Sequence, residues 1–157
     1  MANKYATGYK AAYVTVPYTP YGPGGRFGRL RCLYDQYDLG DDAALLATAD
    51  TLYMAKIPNG MRVIECWLKF GDLGTTGQID VGWAASSDAV EAADATGFFS
   101  NINVESAADV LLSSQDDAAP VGIMKKFAAE VNVVIAIDTA TTAVDGNIDL
   151  AIMGIID

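Results

Sequence analysis

Hydrophobic and polar residues alternate along much of this chain with the two-residue period of β-strands. The period is clearest over residues 61–70, where Ile64, Cys66, Leu68 and Phe70 share one apolar face and the other face is mixed. Successive side chains of a strand point to opposite faces, so this segment predicts a strand with one buried face. We expect these four side chains to lie in the core.

Two flanking segments and two turn signals predict a three-stranded antiparallel meander over residues 52–83. Residues 52–57 and 78–83 stand on either side of the central strand. The tripeptide Pro58-Asn59-Gly60 favours a tight turn, because proline fixes φ and glycine accepts a positive φ. Residues 72–77 contain two glycines and form the second connection. We therefore expect the three segments to pair as neighbours in one sheet.

Further alternating segments predict strands before and after the meander. Residues 29–34 form the first predicted strand of the body, and residues 131–138 and 148–153 form the last two. The side chains expected to face inward on the later strands are apolar: Ile79, Val81, Trp83, Val131, Val133, Ile135, Ile137, Ile148, Leu150 and Ile152.

Residues 86–127 carry a mixed pattern. Residues 86–97 predict a short helix, with Asp88 as its cap and Gly97 at its end, and residues 106–112 predict a helical turn. Residues 98–104 and 121–127 predict short strands. The count of six to eight strands with one or two short helices predicts an all-β fold, an antiparallel β-sandwich of jelly-roll type.

The first 28 residues differ from the rest in composition. They contain three prolines, five glycines and five tyrosines, and they lack the apolar pattern needed for a core of their own. We therefore divide the chain into an extended N-terminal arm at residues 1–28 and a β-sandwich domain at residues 29–157. Each tyrosine offers a large rigid face and a hydroxyl group, which suits it to anchoring the arm on a surface.

Charge is distributed unevenly between the arm and the body. The net charge is −10, yet residues 1–31 contain five basic residues and no acidic one, while all 20 acidic residues come later. A basic arm on an acidic body indicates that the arm contacts a partner. The residues predicted to bind it are Tyr5, Tyr9, Tyr13, Tyr18, Tyr21, Arg26, Arg29 and Arg31. The alternative is an arm that folds back on its own domain.

The apolar content predicts contacts between subunits. Hydrophobic residues make up 52% of the chain and the mean hydropathy is +0.21. No run reaches the roughly 18 apolar residues of a membrane span, and the N-terminus lacks the apolar segment of a secretion signal. We expect the surplus to be buried in a core or in a homo-oligomer, with a trimer as the preferred state.

The residues that carry common chemistries are missing or wrongly spaced. The chain has no histidine, and its two cysteines, Cys32 and Cys66, fit no metal or redox spacing. We expect Cys66 to be a reduced core thiol, with a disulfide as the alternative. The acidic residues 35–42 do not match a calcium-binding loop, and the glycine-rich residues 22–26 do not lie between a strand and a helix as a phosphate loop must. We expect no catalytic residue, no cofactor and no metal.

Nucleic acid is a weaker alternative as a partner. Basic residues and tyrosines alternate in the arm, as in some proteins that bind single strands by stacking. However, the body would repel phosphates, because 20 acidic residues lie beyond the arm.

The meander resembles a pattern of small virion proteins of tailed bacteriophages. The similarity covers residues 52–64, with the Pro58-Asn59-Gly60 turn, and residues 70–83, with an Asp72-Leu73-Gly74 turn followed by Asp80-Val81-Gly82. Proteins of this kind are capsid decoration (cement) proteins or head-fibre bases, and many are β-sandwich trimers. The resemblance carries no catalytic residue.

The resemblance implies a decoration protein that binds the assembled head and stabilises it. Its partners would be the major capsid protein and further copies of itself, in a homotrimer. It would be made in the host cytoplasm and reside on the capsid surface of the virion, without membrane contact. The alternative is a carbohydrate-binding jelly roll used in host attachment, with Trp67 or Trp83 as candidate sugar-stacking residues, although core packing is the simpler role for both.

Overall fold

A computed structural model describes residues 3–5, 30–42, 45–114, 121–143 and 145–156. These residues form nine strands, one turn of α-helix and one turn of 3-10 helix. In chain order they are β1 (Asn3–Tyr5), β2 (Leu30–Asp38), α1 (Leu39–Asp42), β3 (Thr51–Ile57), β4 (Met61–Phe70), β5 (Gln78–Trp83), β6 (Asp94–Asn103), β7 (Ala108–Leu111), the 3-10 helix η1 (Leu112–Ser114), β8 (Val131–Thr139) and β9 (Asn147–Ile156).

The strands form two sheets that pack face to face. One sheet has the order β1-β3-β8-β5-β6, and the other has the order β2-β9-β4-β7. If β2 to β9 are lettered B to I, the sheets read C-H-E-F, with β1 added at its edge, and B-I-D-G. This is the strand order of a jelly roll, in which two Greek keys build a sandwich. The predicted fold is confirmed.

Strand β1 is the part of the N-terminal arm that the structure describes, and it lies on the body of its own chain. It pairs in parallel with β3, with Asn3 opposite Thr51 and Tyr5 opposite Tyr53. Residues 6–29 lie outside the described residues. The extended arm and the domain boundary after residue 28 therefore stay predictions.

The core fills the space between the two sheets. Buried side chains come from the inner faces of both, and they include Leu52, Ile57, Val63, Cys66, Leu68, Phe70, Ile79, Val81, Val133, Ile135, Ile148, Leu150 and Ile152. Burying one such aliphatic or aromatic side chain stabilises a fold by about 1.5 to 3 kcal/mol relative to exposing it. The alternation read from β5, β8 and β9 is thus confirmed as the pattern that builds the core.

The predicted meander over residues 52–83 is wrong in its pairing. The turn itself forms, with Gly60 at φ 81° and the Met61 amide donating to the Pro58 carbonyl (3.2 Å). However, β3 pairs with β8 and β1, whereas β4 pairs with β9 and β7 in the opposite sheet. The turn carries the chain across the sandwich, because alternation marks a half-buried strand without saying which sheet it joins.

The predicted inward face of β4 is right for Cys66, Leu68 and Phe70 and wrong for Ile64. The register between β4 and β9 shifts between Val63 and Glu65, which marks a β-bulge. Val63 is fully buried, while Ile64 is 39% exposed. A bulge inserts one residue and moves the preceding side chains to the other face, so a strict two-residue period fails there.

The predicted helices at residues 86–97 and 106–112 are wrong. At residues 86–91 the Ser86 amide donates to the Glu91 carbonyl (3.0 Å), and the Glu91 amide donates to Ser86 Oγ (2.9 Å), which closes a loop. These side-chain and backbone bonds compete with helix formation. Residues 108–111 instead form β7, which pairs with β4.

The predicted strand over residues 121–127 is also wrong. Residues 121–124 form turns, and Met124 has a φ of 59°. The segment pairs with β4 through an isolated bridge between Arg62 and Lys126. A left-handed residue interrupts the extended backbone that a strand needs.

Candidate interaction surface

The outer face of the four-stranded sheet exposes a group of apolar side chains, which we call the apolar face. It consists of Leu30, Cys32, Tyr34, Ile64, Trp67, Leu111 and Met153. Five of the nine large apolar side chains that are exposed among the described residues lie in this group. Leu30 is 65% exposed and Tyr34 is 54% exposed. Contiguous exposed apolar patches on soluble proteins mark interaction sites.

The register of the sheet brings these residues together from distant parts of the sequence. Cys32 of β2 lies opposite Met153 of β9. One step along, Tyr34 lies opposite Ala151, which in turn lies opposite Trp67 of β4. Trp67 is paired with Leu111 of β7, so this row crosses all four strands. The side chains of one row stand on one face and contact their neighbours, so the apolar face is continuous across the sheet.

A polar row borders the apolar face toward the end of the sheet where β2 stops. Gln36, Asp149, Lys69 and Asp109 lie side by side across the four strands. Tyr34 Oη donates to Asp149 Oδ1 (2.6 Å), and Gln36 Nε2 donates to the same oxygen (3.0 Å). The hydrogen bond to the Asp149 carboxylate, followed by burial, raises the pKa of Tyr34 to about 12. Tyr34 therefore presents a neutral ring whose hydroxyl is held in place.

Glu65 lies within the apolar face, and its carboxylate binds backbone amides of its own chain. Its Oε1 accepts hydrogen bonds from the amides of Cys66 (3.1 Å) and Ser113 (3.1 Å). The second bond joins β4 to η1, the one-turn helix after β7. The carboxylate therefore fixes the edge of the face where Leu111 stands.

The loops at the two ends of the sandwich differ in charge. The loops after β2, β4, β6 and β8 lie at one end and contain no lysine or arginine, and Lys69 is the one basic residue in the strand ends that flank them. Their carboxylate residues are Asp38, Asp41, Asp42, Asp50, Asp72, Glu105, Asp138 and Asp145. We call this the acidic end. Four of the five basic residues beyond position 31 lie toward the other end, the lysine end: Lys56, Arg62, Lys125 and Lys126.

At the lysine end, Glu91 joins two loops. Its Oε1 accepts from the Ala128 amide (2.7 Å), and its Oε2 accepts from Lys125 Nζ (2.9 Å). These bonds, the amide bond first, lower the pKa of the Glu91 carboxyl. Lys125 Nζ also lies 5.3 Å from the Trp83 ring and 5.1 Å from the Phe127 ring, within the range of cation–π attraction. The cluster holds the loop after β5 against the segment before β8.

Trp83 is enclosed within this cluster. Its ring packs edge-on against Phe98 and Phe127, and its Nε1 donates to the Ala92 carbonyl (3.0 Å). The side chain is 2% exposed, so its ring offers no face to a sugar. Trp67, by contrast, is partly exposed on the apolar face.

The structure places two of the eight predicted partner-binding residues. Tyr5 lies in β1 beside Tyr53, and Arg31 lies in β2 opposite Gly154. Arg31 is partly buried on the inward side of β2, because it alternates with the exposed Leu30 and Cys32. The other six (Tyr9, Tyr13, Tyr18, Tyr21, Arg26 and Arg29) lie outside the described residues, so their role stays a prediction.

Sequence reasoning missed the apolar face. Its signal was present in residues 30–37, where apolar residues occupy both faces of the strand instead of one. Such a pattern indicates a strand covered on both sides.

Within the described ranges, no three histidine, cysteine, aspartate or glutamate residues cluster closely enough to hold a metal ion. Cys32 and Cys66 are both free thiols, the first exposed and the second buried. Among the described residues, no helix has the length and apolar character needed to cross a membrane.

Fold and surface together define a jelly-roll β-sandwich with one uncovered apolar sheet. The sequence matches no protein-family model and no curated protein. The structure is similar to a chain of the capsid of Ralstonia phage GP4, with a TM-score of 0.70 and 16% identity over 99% of each chain. It is also similar to a chain of the cyanophage Pam1 capsid asymmetric unit, with a TM-score of 0.61 and 22% identity over 93% of this chain and 99% of that one. Both similarities concern the fold.

Proposed function

We propose that this protein is a structural component of a bacteriophage virion, and more specifically a decoration (cement) protein that binds and stabilises the assembled head. The observation that carries the proposal is the match in fold over 99% of this chain and 99% of a chain from a phage capsid. A match of whole chains means that the resemblance extends beyond a shared core to the complete architecture. The proposed role is non-enzymatic and requires no cofactor.

The apolar face supports a role in assembly. An exposed sheet of apolar residues with a polar border has the anatomy of a protein interface, whose centre is apolar and whose rim is polar. We propose that the protein forms a homotrimer and that its partner is the major capsid protein on the outside of the virion. Tyrosines of the arm would supply anchors on a neighbouring copy or on the capsid surface, and its arginines would steer the encounter.

Mixing the purified full chain with empty heads of its phage tests the proposal directly. The protein should sediment with the heads and raise the temperature at which they disrupt. Deleting residues 1–28 should weaken this binding while circular dichroism still reports a folded body. Raising the salt from about 0.05 M to about 0.5 M should weaken binding without abolishing it, because apolar contacts are not screened.

The matched control is Val90→Ser, at a residue that is 59% exposed on the loop after β5 and lies outside the apolar face. It should bind heads as the unchanged chain does. Failure of the full chain to bind heads, combined with retention on a glycan array, would contradict the proposal in favour of a carbohydrate-binding module.

A further inference from the structure

We propose that the apolar face is the docking surface for residues 6–29 of a neighbouring copy of this chain. The inference rests on the proposed homo-oligomer and names the surface that joins its copies. Its occupant is a segment of known sequence whose two ends are fixed on the body, by β1 before it and β2 after it.

Residues 6–29 are long enough to cross the apolar face of a neighbouring copy. It comprises 24 residues between Tyr5 and Leu30. Its contour length is about 80 Å at roughly 3.4 Å per residue, and because both of its ends are fixed on one body it could reach out about 40 Å and return. The apolar face spans four strands, or about 15 Å across at roughly 4.8 Å per strand spacing. The segment is therefore several times longer than the face it would cover.

The place where the segment ends points to the same surface. Residue 29 is followed directly by Leu30, which is 65% exposed and forms one corner of the apolar face. Beyond Leu30, β2 forms one edge of its sheet, and among the described strands it pairs with β9 alone. A segment that leaves one copy at this corner starts on the rim of the surface that it would fill on the next copy.

The chemistry of the segment complements the face. It carries apolar and aromatic side chains together with three basic residues and no acidic one: Tyr9, Lys10, Tyr13, Val14, Val16, Tyr18, Tyr21, Arg26, Phe27 and Arg29. The face offers apolar residues at its centre, with Asp149 and Asp109 in the row that borders it. Tyrosines would pack over the centre while basic groups approach Asp149 and Asp109, which together outweigh Lys69 in the bordering row.

Cys32 serves as a native probe, because it is exposed on the apolar face, between Leu30 and Tyr34 on the edge strand β2. The experiment measures the rate at which a maleimide labels Cys32 in the full chain, with peptide mass mapping to assign the label. In a variant that replaces Tyr9, Tyr13, Tyr18 and Tyr21 by serine, labelling should be at least about tenfold faster, since each lost anchor weakens docking. Cys66 should stay unlabelled in both proteins, because it is fully buried, and its labelling would report unfolding. Val90→Ser is the matched control and should leave the Cys32 rate unchanged.

A mixing experiment identifies which copy supplies the segment. Chains with the four serine substitutions and native Cys32 are co-assembled with chains that have the native segment and Cys32→Ser. A neighbouring segment should slow the labelling of Cys32 on the substituted chains as the second protein is added in excess. If the native chain is protected but mixing gives no protection, each copy covers its own face and the proposal is wrong.

Two further results would also overturn the proposal. Equal labelling rates with and without the four tyrosines would mean that the segment does not cover the face. Protection that appears only when empty heads are added would assign the face to the capsid. Binding to heads is measured on the same samples, so protection of Cys32 without head binding would contradict the proposed function and leave this inference standing.

Discussion

At the scale of single residues, Cys66 and Cys32 show how burial decides the effect of one substitution. They lie on β4 and β2, the two strands that flank β9, but Cys66 is fully buried and Cys32 is exposed. Burial raises the pKa of the Cys66 thiol, which keeps it neutral.

We expect Cys66→Asp to abolish soluble expression, or to lower the free energy of unfolding by at least about 4 kcal/mol, because a carboxylate would be forced into an apolar layer. Val90→Asp, at a residue that is 59% exposed and lies outside the apolar face, is the matched control and should change the free energy of unfolding by about 0.5 kcal/mol or less. Soluble yield and urea denaturation measure both. Normal folding of Cys66→Asp would show that the inner face of β4 is placed wrongly.

Ionisation of Tyr34 can be followed by ultraviolet absorbance at high pH, because its pKa is raised. Its pKa of about 12 exceeds the ordinary value of 10, because its hydroxyl donates to Asp149. The unfolded chain therefore loses this proton first, so the stability due to Tyr34 is complete below pH 10 and declines as the pH rises toward 12. The difference in ultraviolet absorbance between the native chain and Tyr34→Phe should show ionisation only near pH 12. Asp149→Asn should move it to lower pH, and an unchanged titration would contradict the assigned bond.

At the scale of strands and loops, β4 shows what periodicity can and cannot predict. The alternation of Cys66, Leu68 and Phe70 was readable from the sequence, and so were the turn at Gly60 and the strands near the C-terminus. The bulge after Val63 could not be predicted from the sequence, because it depends on how β4 pairs with β9. Sheet membership was equally hidden, since strands on the two sides of a sandwich show the same alternation.

The bulge predicts opposite outcomes for two adjacent substitutions. Val63→Ser should lower the free energy of unfolding by about 3 kcal/mol, because it removes a fully buried side chain and places a hydroxyl in the core. Ile64→Ser should change it by less than about 1 kcal/mol, since Ile64 is partly exposed. Denaturant titration of both variants measures the difference. A larger loss of stability for Ile64→Ser than for Val63→Ser would mean that Ile64 faces the core, as a strict two-residue alternation predicts, and would contradict the bulge.

The Glu91 cluster shows how local bonds override helix propensity in residues 86–97. Ser86 and Glu91 close a loop, and the Glu91 carboxylate then reaches the amide of Ala128 and the ammonium of Lys125. Local sequence signals could not predict these bonds, because Ala128 and Lys125 are distant from Glu91 in sequence. Tertiary partners decided the conformation of this segment.

We expect Glu91→Ala to lower the free energy of unfolding by about 1 to 3 kcal/mol, because it removes the acceptor of the part-buried bonds from the Ala128 amide and the Lys125 ammonium. The pKa of Glu91 is lowered on folding, so its contribution is present above the unfolded pKa near 4.5 and is lost as the pH falls below it. The deficit of Glu91→Ala, measured by urea denaturation, should therefore shrink in acid. Glu130→Gln is the control: its partner Lys56 is at 3.0 Å, but its side chain is 57% exposed, so the change should be small. A pH-independent deficit would contradict this assignment.

At the scale of the whole molecule, the sequence predicts a partner surface in the arm, and the structure shows an exposed apolar face on the body. The arm was recognisable because its composition differs from the rest of the chain. The apolar face was harder to recognise because it is assembled from β2, β4, β7 and β9, which are separated by long stretches of sequence. Composition shows that apolar residues are in surplus, and only the register shows where they gather.

We expect the purified protein to be a homo-oligomer, with a trimer as the preferred state. Light scattering coupled to gel filtration at micromolar concentration should give a mass near three times the 16.5 kDa of the chain. Met153→Glu places a charge in the apolar face and should shift the mass toward that of one chain. A single-chain mass for the unchanged protein, both free and on capsids, would rule out the oligomer.

The difference between the acidic end and the lysine end gives the body an electric dipole moment that runs along its strands. A molecule with such a moment experiences a torque in the field of any charged surface and rotates before it touches that surface. It would approach a negative surface with the loops around Lys125 and Lys126 leading and the opposite loops trailing. At about 0.1 M salt this orienting field extends only about 10 Å from the surface. The molecule would therefore take up one orientation only within about the last 10 Å before contact.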